Sequence, residues 1–232
     1  MHGTVTCLAT VGSFLAIGYS SGTVLIYNLE VTLSEEETRD KLSSSRFELA
    51  HQFSFHKSAV SCLVFSGTGA TQLISGGADT YIILYDLVAS TAEFKLMGHA
   101  ESITQLQPLV TQHPTRGTAQ KALISSSKDG LLKVWDLQSQ SCIGTFGEQF
   151  MSKVNDFCIV GELGLLVTAS TDKFLRIFKI EVKTEEAATS HSEVGQLSLV
   201  SQTSFTKEST HRAIQVDYDK KRNLLMVLSA DN

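Results

Sequence analysis

The sequence predicts an all-β fold made of repeated four-stranded sheets, and three observations support this fold class. A run of small residues, an Asp or Ser and an apolar stretch recurs along the chain, as in SSSKDGLLKVWDL at 125–137. The apolar segments are short and rich in Val, Ile, Leu, Tyr and Phe, with Gly, Ser, Thr and Asp at the joins, which is typical of strands and turns. No window of about a dozen residues keeps a helical apolar stripe.

The spacing of the repeated signal favours a β-propeller. Five segments align on it, and their equivalent positions are separated by roughly 58, 50, 43 and 59 residues. This is a repeat of roughly 40–45 residues with insertions, the length of one blade of four antiparallel strands, a to d. The aligned positions are Ser21, Asp79, Asp129, Asp172 and Asp231.

The repeat divides the chain, as one propeller domain over 1–232, into four complete blades and half of a fifth. The expected boundaries are 4–55, 56–97, 99–146, 150–205 and 211–232. Because propellers protect their edges by closing into a ring, we expect a fragment of a larger protein, an incomplete propeller that pairs or swaps through its end blades.

Three insertions interrupt the pattern. The segments 30–46 and 181–196 are polar and acidic and lie between strands c and d, whereas 108–120 separates strands a and b of the third blade and holds both prolines. The two acidic segments are expected to be solvated loops, and docking tails are the alternative for them.

Composition excludes several classes of protein. With 232 residues, 42% hydrophobic and 19% charged, the chain has the balance of a soluble globular protein. No apolar run approaches the roughly 18 residues of a membrane span, and the N-terminus lacks a secretory signal, so no membrane contact is expected. The net charge of −5 has the wrong sign for a domain that grips a phosphate backbone with its whole surface. The basic run DKKRN at 219–223 is expected to be a solvated turn.

Neither a cofactor nor a metal is expected, and no catalytic or small-molecule site is predicted. Cys7, Cys62, Cys142 and Cys158 form no CxxC pair and show no ligand spacing with any His, so they are expected to be buried thiols. The sequence also contains no HExxH, GxxxxGK[ST] or GxGxxG motif.

The third blade resembles a WD40 repeat in its GH at 98–99, its SSSKDG turn and its WD at 135–136. In that family a His, a Ser or Thr of strand b, the turn Asp and the Trp of strand c form a hydrogen-bonded network. The resemblance therefore implies a structural network of His99, Ser125, Asp129 and Trp135.

The neighbouring blades carry altered copies of this pattern. The second blade offers His56, Ser75, Asp79 and Tyr85. The fourth keeps Thr168 and Asp172, but Phe150 and Phe178 stand where His and Trp would be, so its network is expected to be incomplete. A Ser, a His and an Asp could also suggest a nucleophilic triad. Since a triad needs an exposed nucleophile and would not recur in altered copies, a structural role is favoured.

Most of the chain is further similar to the first half of the Dip2-like WD-repeat family. The most specific pieces are AIGYSSG at 16–22, ADTYIILYDLV at 78–88 followed by FKLMGH, and SSSKDGLLKVWDLQSQSC at 125–142. Members of that family are tandem-propeller subunits of the UTP-B subcomplex, within the U3 small nucleolar ribonucleoprotein or small-subunit processome. The family's second propeller and C-terminal helical region have no counterpart in this sequence.

This resemblance implies a non-catalytic scaffold in the nucleolus that acts in pre-rRNA processing and small ribosomal subunit assembly. Its implied partners are other processome proteins of UTP-B, with an indirect association with U3 RNA and pre-rRNA. The alternative is another WD40 scaffold, such as a ubiquitin-ligase substrate receptor; such receptors often carry Arg two places after the WD pair, where this chain has Gln138. An enzyme is the third hypothesis.

Overall fold

The computed structural model describes residues 3–30, 46–67, 69–112, 119–147, 153–160, 164–171, 174–183, 196–200, 207–208 and 212–230. Every regular element in these ranges is a β-strand, and the strands form antiparallel sheets. The prediction of an all-β fold of the propeller type, built from four-stranded sheets, is confirmed. The sheets belong to two compact units, Met1–Met97 and Gly98–Asn232. Within the described ranges no helix is long and apolar enough to cross a membrane.

The first unit contains two sheets, each with its strands in chain order. The first sheet consists of β1 (Val5–Val11), β2 (Phe14–Tyr19), β3 (Val24–Glu30) and β4 (Arg46–Phe53). The second consists of β5 (Val60–Ser66), β6 (Gln72–Gly77), β7 (Ile82–Asp86) and β8 (Thr91–Leu96).

The core of the first unit lies between these two sheets. The first sheet contributes Ala16, Val24, Ile26 and Phe53, and the second contributes Val60, Leu73, Ile83 and Tyr85. In β7 the four residues from Ile82 to Tyr85 are each at most 2% exposed. Because both faces of such a strand are buried, its sequence is continuously apolar and does not alternate.

The second unit contains three sheets. The third sheet consists of β9 (Ile103–Gln112), β10 (Ala119–Ser127), β11 (Leu132–Asp136) and β12 (Ser141–Phe146). The fourth consists of β13 (Val154–Val160), β14 (Leu165–Ser170), β15 (Phe174–Lys183) and β16 (Gln196–Val200), and β17 (Lys207–Glu208) also pairs with β15. The fifth is the hairpin of β18 (Arg212–Asp219) and β19 (Leu224–Ala230).

Two apolar clusters join these sheets. Ala122, Ile124, Leu132 and Val134 of the third sheet pack with buried residues of the fourth, among them Phe157. On the other side, the fourth sheet packs against the hairpin: Cys158, Val160, Val167, Ala169 and Val216 are buried together.

The first strand of each sheet carries one extra residue at the same place. The pairing register of β1, β5, β9, β13 and β18 with the next strand skips one residue near the start of the strand. A β-bulge of this kind bends and twists the strand locally. The skipped residues are Thr6, Ser61, Thr104, Asn155 and Ile214.

The strands extend into the ends of all three predicted insertions, so the predicted ranges 30–46, 108–120 and 181–196 each include strand residues. β9 continues through Pro108, which lies opposite Leu123, and β15 continues to Lys183, opposite Gln196. Pro108 is tolerated because β9 is an edge strand of its sheet, where a residue without an N–H need not break a ladder. The remainders 113–118 and 184–195, and 31–45 of the first insertion, lie outside the described residues.

Candidate functional site

The structure brings His99, Ser125, Asp129 and Trp135 together in the third sheet. His99 Nδ1 lies 2.9 Å from Asp129 Oδ2, and Nε2 lies 2.8 Å from Ser125 Oγ. Trp135 Nε1 donates to the same Ser125 Oγ at 2.8 Å. Because an ionised carboxylate only accepts hydrogen bonds, His99 carries its proton on Nδ1 and Nε2 accepts the Ser125 hydroxyl. The four side chains thus form one directed chain of donors and acceptors from indole to carboxylate.

Asp129 also holds the backbone of two loops. Its carboxylate accepts the N–H of Ala100, before β9, and the N–H of Leu131, in the turn before β11, each at 2.9 Å. Burial alone would raise the pKa of Asp129, but these N–H groups together with His99 outweigh burial and hold the pKa below its ordinary value. The carboxylate is therefore the acceptor that the turn requires, and it stays ionised.

The second sheet repeats the arrangement with a phenol. His56 Nδ1 lies 2.9 Å from Asp79 Oδ1, and Nε2 lies 2.7 Å from Ser75 Oγ. The oxygens of Ser75 and Tyr85 are hydrogen-bonded at 3.1 Å, a longer contact than the one made by the indole of the third sheet. Burial raises the pKa of Tyr85 to about 12. Asp79 also accepts the N–H of Lys57 at 2.7 Å.

Burial also lowers the pKa of His56 and of His99, while the carboxylate beside each ring opposes this effect. Desolvation disfavours the imidazolium, so both rings favour the neutral form. A neutral ring with a proton on Nδ1 is the form that the hydroxyl contact at Nε2 requires.

The fourth sheet has the Ser/Thr position without the His and Trp. Thr168 is fully buried, and its hydroxyl has no hydrogen-bond partner among the described residues. Phe178 follows Thr168 by ten positions, as Trp135 follows Ser125. It is buried in the apolar cluster with the third sheet, and its side chain has no N–H to donate. Asp172 and Phe150 lie outside the described residues.

The first and fifth sheets carry an apolar residue at the position of the network hydroxyl. Ile17 pairs with Leu8 as Ser75 pairs with Leu63, and Val227 pairs with Val216 in the same register. The hydroxyl network is therefore built on strand b of the second and third sheets.

Sequence reasoning missed the role of the aspartates that follow Tyr85 and Trp135. Asp136 accepts the N–H groups of Gln138 and Ser139, at 3.1 and 3.3 Å, and so closes the turn between β11 and β12. Asp86 accepts those of Val88 and Ala89, at 2.7 and 2.9 Å, before β8. The signal was present in the sequence, because Asp at the first position of a short turn is a recurrent backbone acceptor.

The connectivity Ser125–His99–Asp129 is that of a nucleophilic triad, yet the arrangement cannot reach a substrate. Ser125 is 0% exposed, and its oxygen is already engaged by the indole N–H of Trp135. Both nitrogens of His99 are occupied as well. A triad needs a nucleophile open to the reacting carbonyl and donors for an oxyanion. The geometry supports a role in holding strands and turns together.

The described part of the chain has no metal site, and burial disfavours reactivity at two of its cysteines. No group of three or more His, Cys, Asp or Glu side chains there is placed to hold a metal ion. Burial raises the pKa of Cys62 and Cys158 to about 12, which disfavours the reactive thiolate. The expectation of four buried thiols is wrong for Cys142, which is exposed at the edge strand β12, and Cys7 is only partly buried.

Comparison with known proteins agrees with this architecture. The family model for the nucleolar protein 10-like N-terminal domain, a β-propeller, matches residues 2–182. Protein MAK11 of Saccharomyces cerevisiae is 26% identical over 152 residues, which cover 61% of this chain and 34% of MAK11. Pre-mRNA-processing factor 19 of Bos taurus is 23% identical over 115 residues, 48% of this chain and 21% of that protein. The chain thus spans about a third or less of the length of these relatives. The family match extends over more than half of the chain, from the first sheet to the third strand of the fourth, and the chain belongs to the nucleolar protein 10-like N-terminal domain family.

Proposed function

We propose that this propeller is a non-catalytic scaffold of the nucleolus that holds other proteins together during small ribosomal subunit assembly. The observation that carries the proposal is the match of residues 2–182 to the nucleolar protein 10-like family. The similarity to the Dip2-like family, in AIGYSSG, ADTYIILYDLV and SSSKDGLLKVWDLQSQSC, supports the finer assignment to the UTP-B subcomplex of the U3 ribonucleoprotein.

The geometry supports a scaffold over an enzyme. The side chains whose types would suit catalysis belong to the two His–Ser–Asp networks. They are buried and hydrogen-bonded to one another. Loops and sheet edges are then the surfaces left for recognition. A rigid framework with polar loops is the usual platform for binding sites.

Charge supports protein partners over direct RNA binding. The chain has a net charge of −5, so its overall field repels a phosphate backbone. The proposed partners are therefore protein subunits of the processome, and U3 RNA and pre-rRNA associate through them.

The test is affinity purification of the full-length protein from cells, with the co-purified RNA and proteins quantified before and after ribonuclease treatment. We expect U3 RNA in the untreated sample, and UTP-B proteins that stay bound after the RNA is digested. Loss of the proteins on digestion would contradict binding through protein surfaces. Recovery of a cullin adaptor without U3 RNA would replace the proposal by the ubiquitin-ligase alternative.

A matched pair of variants makes this test specific to the folded propeller. Trp135→Ala opens the network of the third sheet, whereas Val88→Ala changes a side chain that is 79% exposed in the turn before β8. We expect the first to reduce recovery of UTP-B proteins and the second to leave it unchanged. Equal recovery with Trp135→Ala, at equal protein abundance, would argue against this propeller as the binding platform.

A further inference from the structure

Neighbouring sheets within each unit are joined at the bulges of their first strands. Thr6 Oγ1 donates to the carbonyl oxygen of Val60 at 2.5 Å, which joins the first sheet to the second. Thr104 Oγ1 donates to the carbonyl oxygen of Val154 at 3.1 Å, which joins the third sheet to the fourth. In both cases a bulge hydroxyl meets the residue just before the bulge of the next sheet. Hydroxyl groups do not titrate near neutral pH, so these two joints are insensitive to acid.

The joint between the fourth sheet and the β18–β19 hairpin has a different chemistry. Asp156, the residue after the bulge of β13, accepts the N–H of Val216 in β18 at 3.0 Å through Oδ2. Its Oδ1 accepts the N–H of Phe157 at 2.9 Å. Asp156 is 7% exposed, so a carboxylate here gives up most of its hydration. One contact that docks the hairpin, beside the apolar cluster that includes Val216, is thus a buried, ionisable acceptor.

The surroundings of Asp156 disfavour a negative charge. Neither β9 nor β14, which both pack on β13, carries an ionisable residue. β10 contributes Lys121, which is exposed, and β13 itself contributes Cys158. On β18 the described ionisable side chains are Asp217, Tyr218 and Asp219, and the charge of Asp217 acts on Asp156.

We propose that Asp156 is a protonation-dependent latch, which holds the β18–β19 hairpin on the fourth sheet more firmly when its carboxyl group is neutral. Burial raises the pKa of Asp156 to about 6, the two N–H groups oppose the shift, and Asp217 adds to it. The docked state therefore binds the proton more tightly than the undocked state, where an aspartate has its ordinary pKa of 3.8. Docking strengthens as the pH falls from 7 through 6, by roughly tenfold between pH 7 and pH 5.

Hydrogen exchange of the whole chain, followed by mass spectrometry, tests the latch. The readout is the protection factor of peptides from β18 and β19 at pH 7, 6 and 5, corrected for the intrinsic exchange rate at each pH. We expect protection to rise roughly tenfold between pH 7 and pH 5 in the wild-type protein. With Asp156→Asn the same peptides should show no pH dependence beyond the correction. A flat wild-type profile, or an unchanged slope in Asp156→Asn, would overturn the proposal.

Two further variants separate the latch from a general loss of stability. Asp217→Asn removes the neighbouring charge, so the rise in protection should persist with its midpoint at lower pH. Thr104→Val removes a hydroxyl joint of the same unit, and the pH dependence of the hairpin peptides should be unchanged. If Asp156→Asn fails to fold, the Asp217→Asn midpoint decides the matter, and an unshifted midpoint would count against the latch.

Discussion

Trp135 donates its indole N–H to Ser125 at 2.8 Å, and both side chains are buried in the third sheet. Replacing Trp135 by Phe leaves a large aromatic ring but removes the donor, so the free energy of unfolding of the second unit should fall by about 1–3 kcal/mol. Tyr85→Phe is the matched change in the second sheet, where the contact is longer at 3.1 Å, and we expect a smaller cost. Urea unfolding followed by circular dichroism measures both variants. A cost for Trp135→Phe no larger than that for Tyr85→Phe would contradict the proposed role of the indole donor.

The turn before β7 contains a strained residue. Thr80, which follows the network residue Asp79, has φ 72°, a left-handed conformation that a β-branched side chain adopts at a cost. Gly130 holds the equivalent place after Asp129 with φ 83°. We therefore expect Thr80→Gly to stabilise the first unit by about 0.5–1 kcal/mol, and Gly130→Ala to destabilise the second by at least as much. Thermal unfolding checks both, and a loss of stability in Thr80→Gly would show that the hydroxyl or methyl group outweighs the strain.

Acid should weaken the two imidazole networks. Burial lowers the pKa of His56 and His99 below the ordinary value of 6.5. The histidines of the unfolded chain therefore bind protons more tightly than those of the folded chain. The contribution of the two imidazole networks to stability is complete above about pH 6.5 and is lost as the pH falls below it. The NMR titration of the imidazole Hε1 signals should give midpoints below 6.5 for both residues. A midpoint above that value for either ring would reverse the sign.

Thiol labelling should follow burial rather than position in the sequence. Cys142 is exposed, Cys7 is partly buried, and Cys62 and Cys158 are buried with pKa values raised to about 12. A maleimide reagent at neutral pH should therefore modify Cys142 first and leave Cys62 and Cys158 unmodified in the folded protein. In denaturant all four should react, which serves as the control. Rapid modification of Cys62 in the native protein would indicate that the packing between the first two sheets opens.

The sequence was sufficient for features that depend on local spacing. Asp79 and Asp129 fall four residues after Ser75 and Ser125, and this spacing marks a strand, a tight turn and the next strand. The structure places each of these Ser–Asp pairs on one His ring. The sequence also predicts that the side chain of Phe178 cannot donate a hydrogen bond, because that property depends only on the residue type.

Features that depend on contacts between distant residues could not be predicted. Asp156 meets Val216 sixty positions away, and nothing in the local sequence distinguishes it from a surface aspartate. The sequence alone indicates an insertion at Pro108, because only the place of this strand at the edge of the sheet makes a proline acceptable there. The exposure of Cys142 likewise follows from its edge strand β12, and composition alone does not reveal which strand lies outermost.

The burial of Trp135 gives the chain an internal optical reporter. It is the single tryptophan of the sequence, and it is 2% exposed. Fluorescence excited at the red edge of the absorption band therefore follows the third sheet, whereas circular dichroism averages over all five. An unfolding curve recorded by tryptophan emission would not report a separate transition of the first unit. Comparing the fluorescence curve with the circular dichroism curve therefore shows whether the two units unfold together.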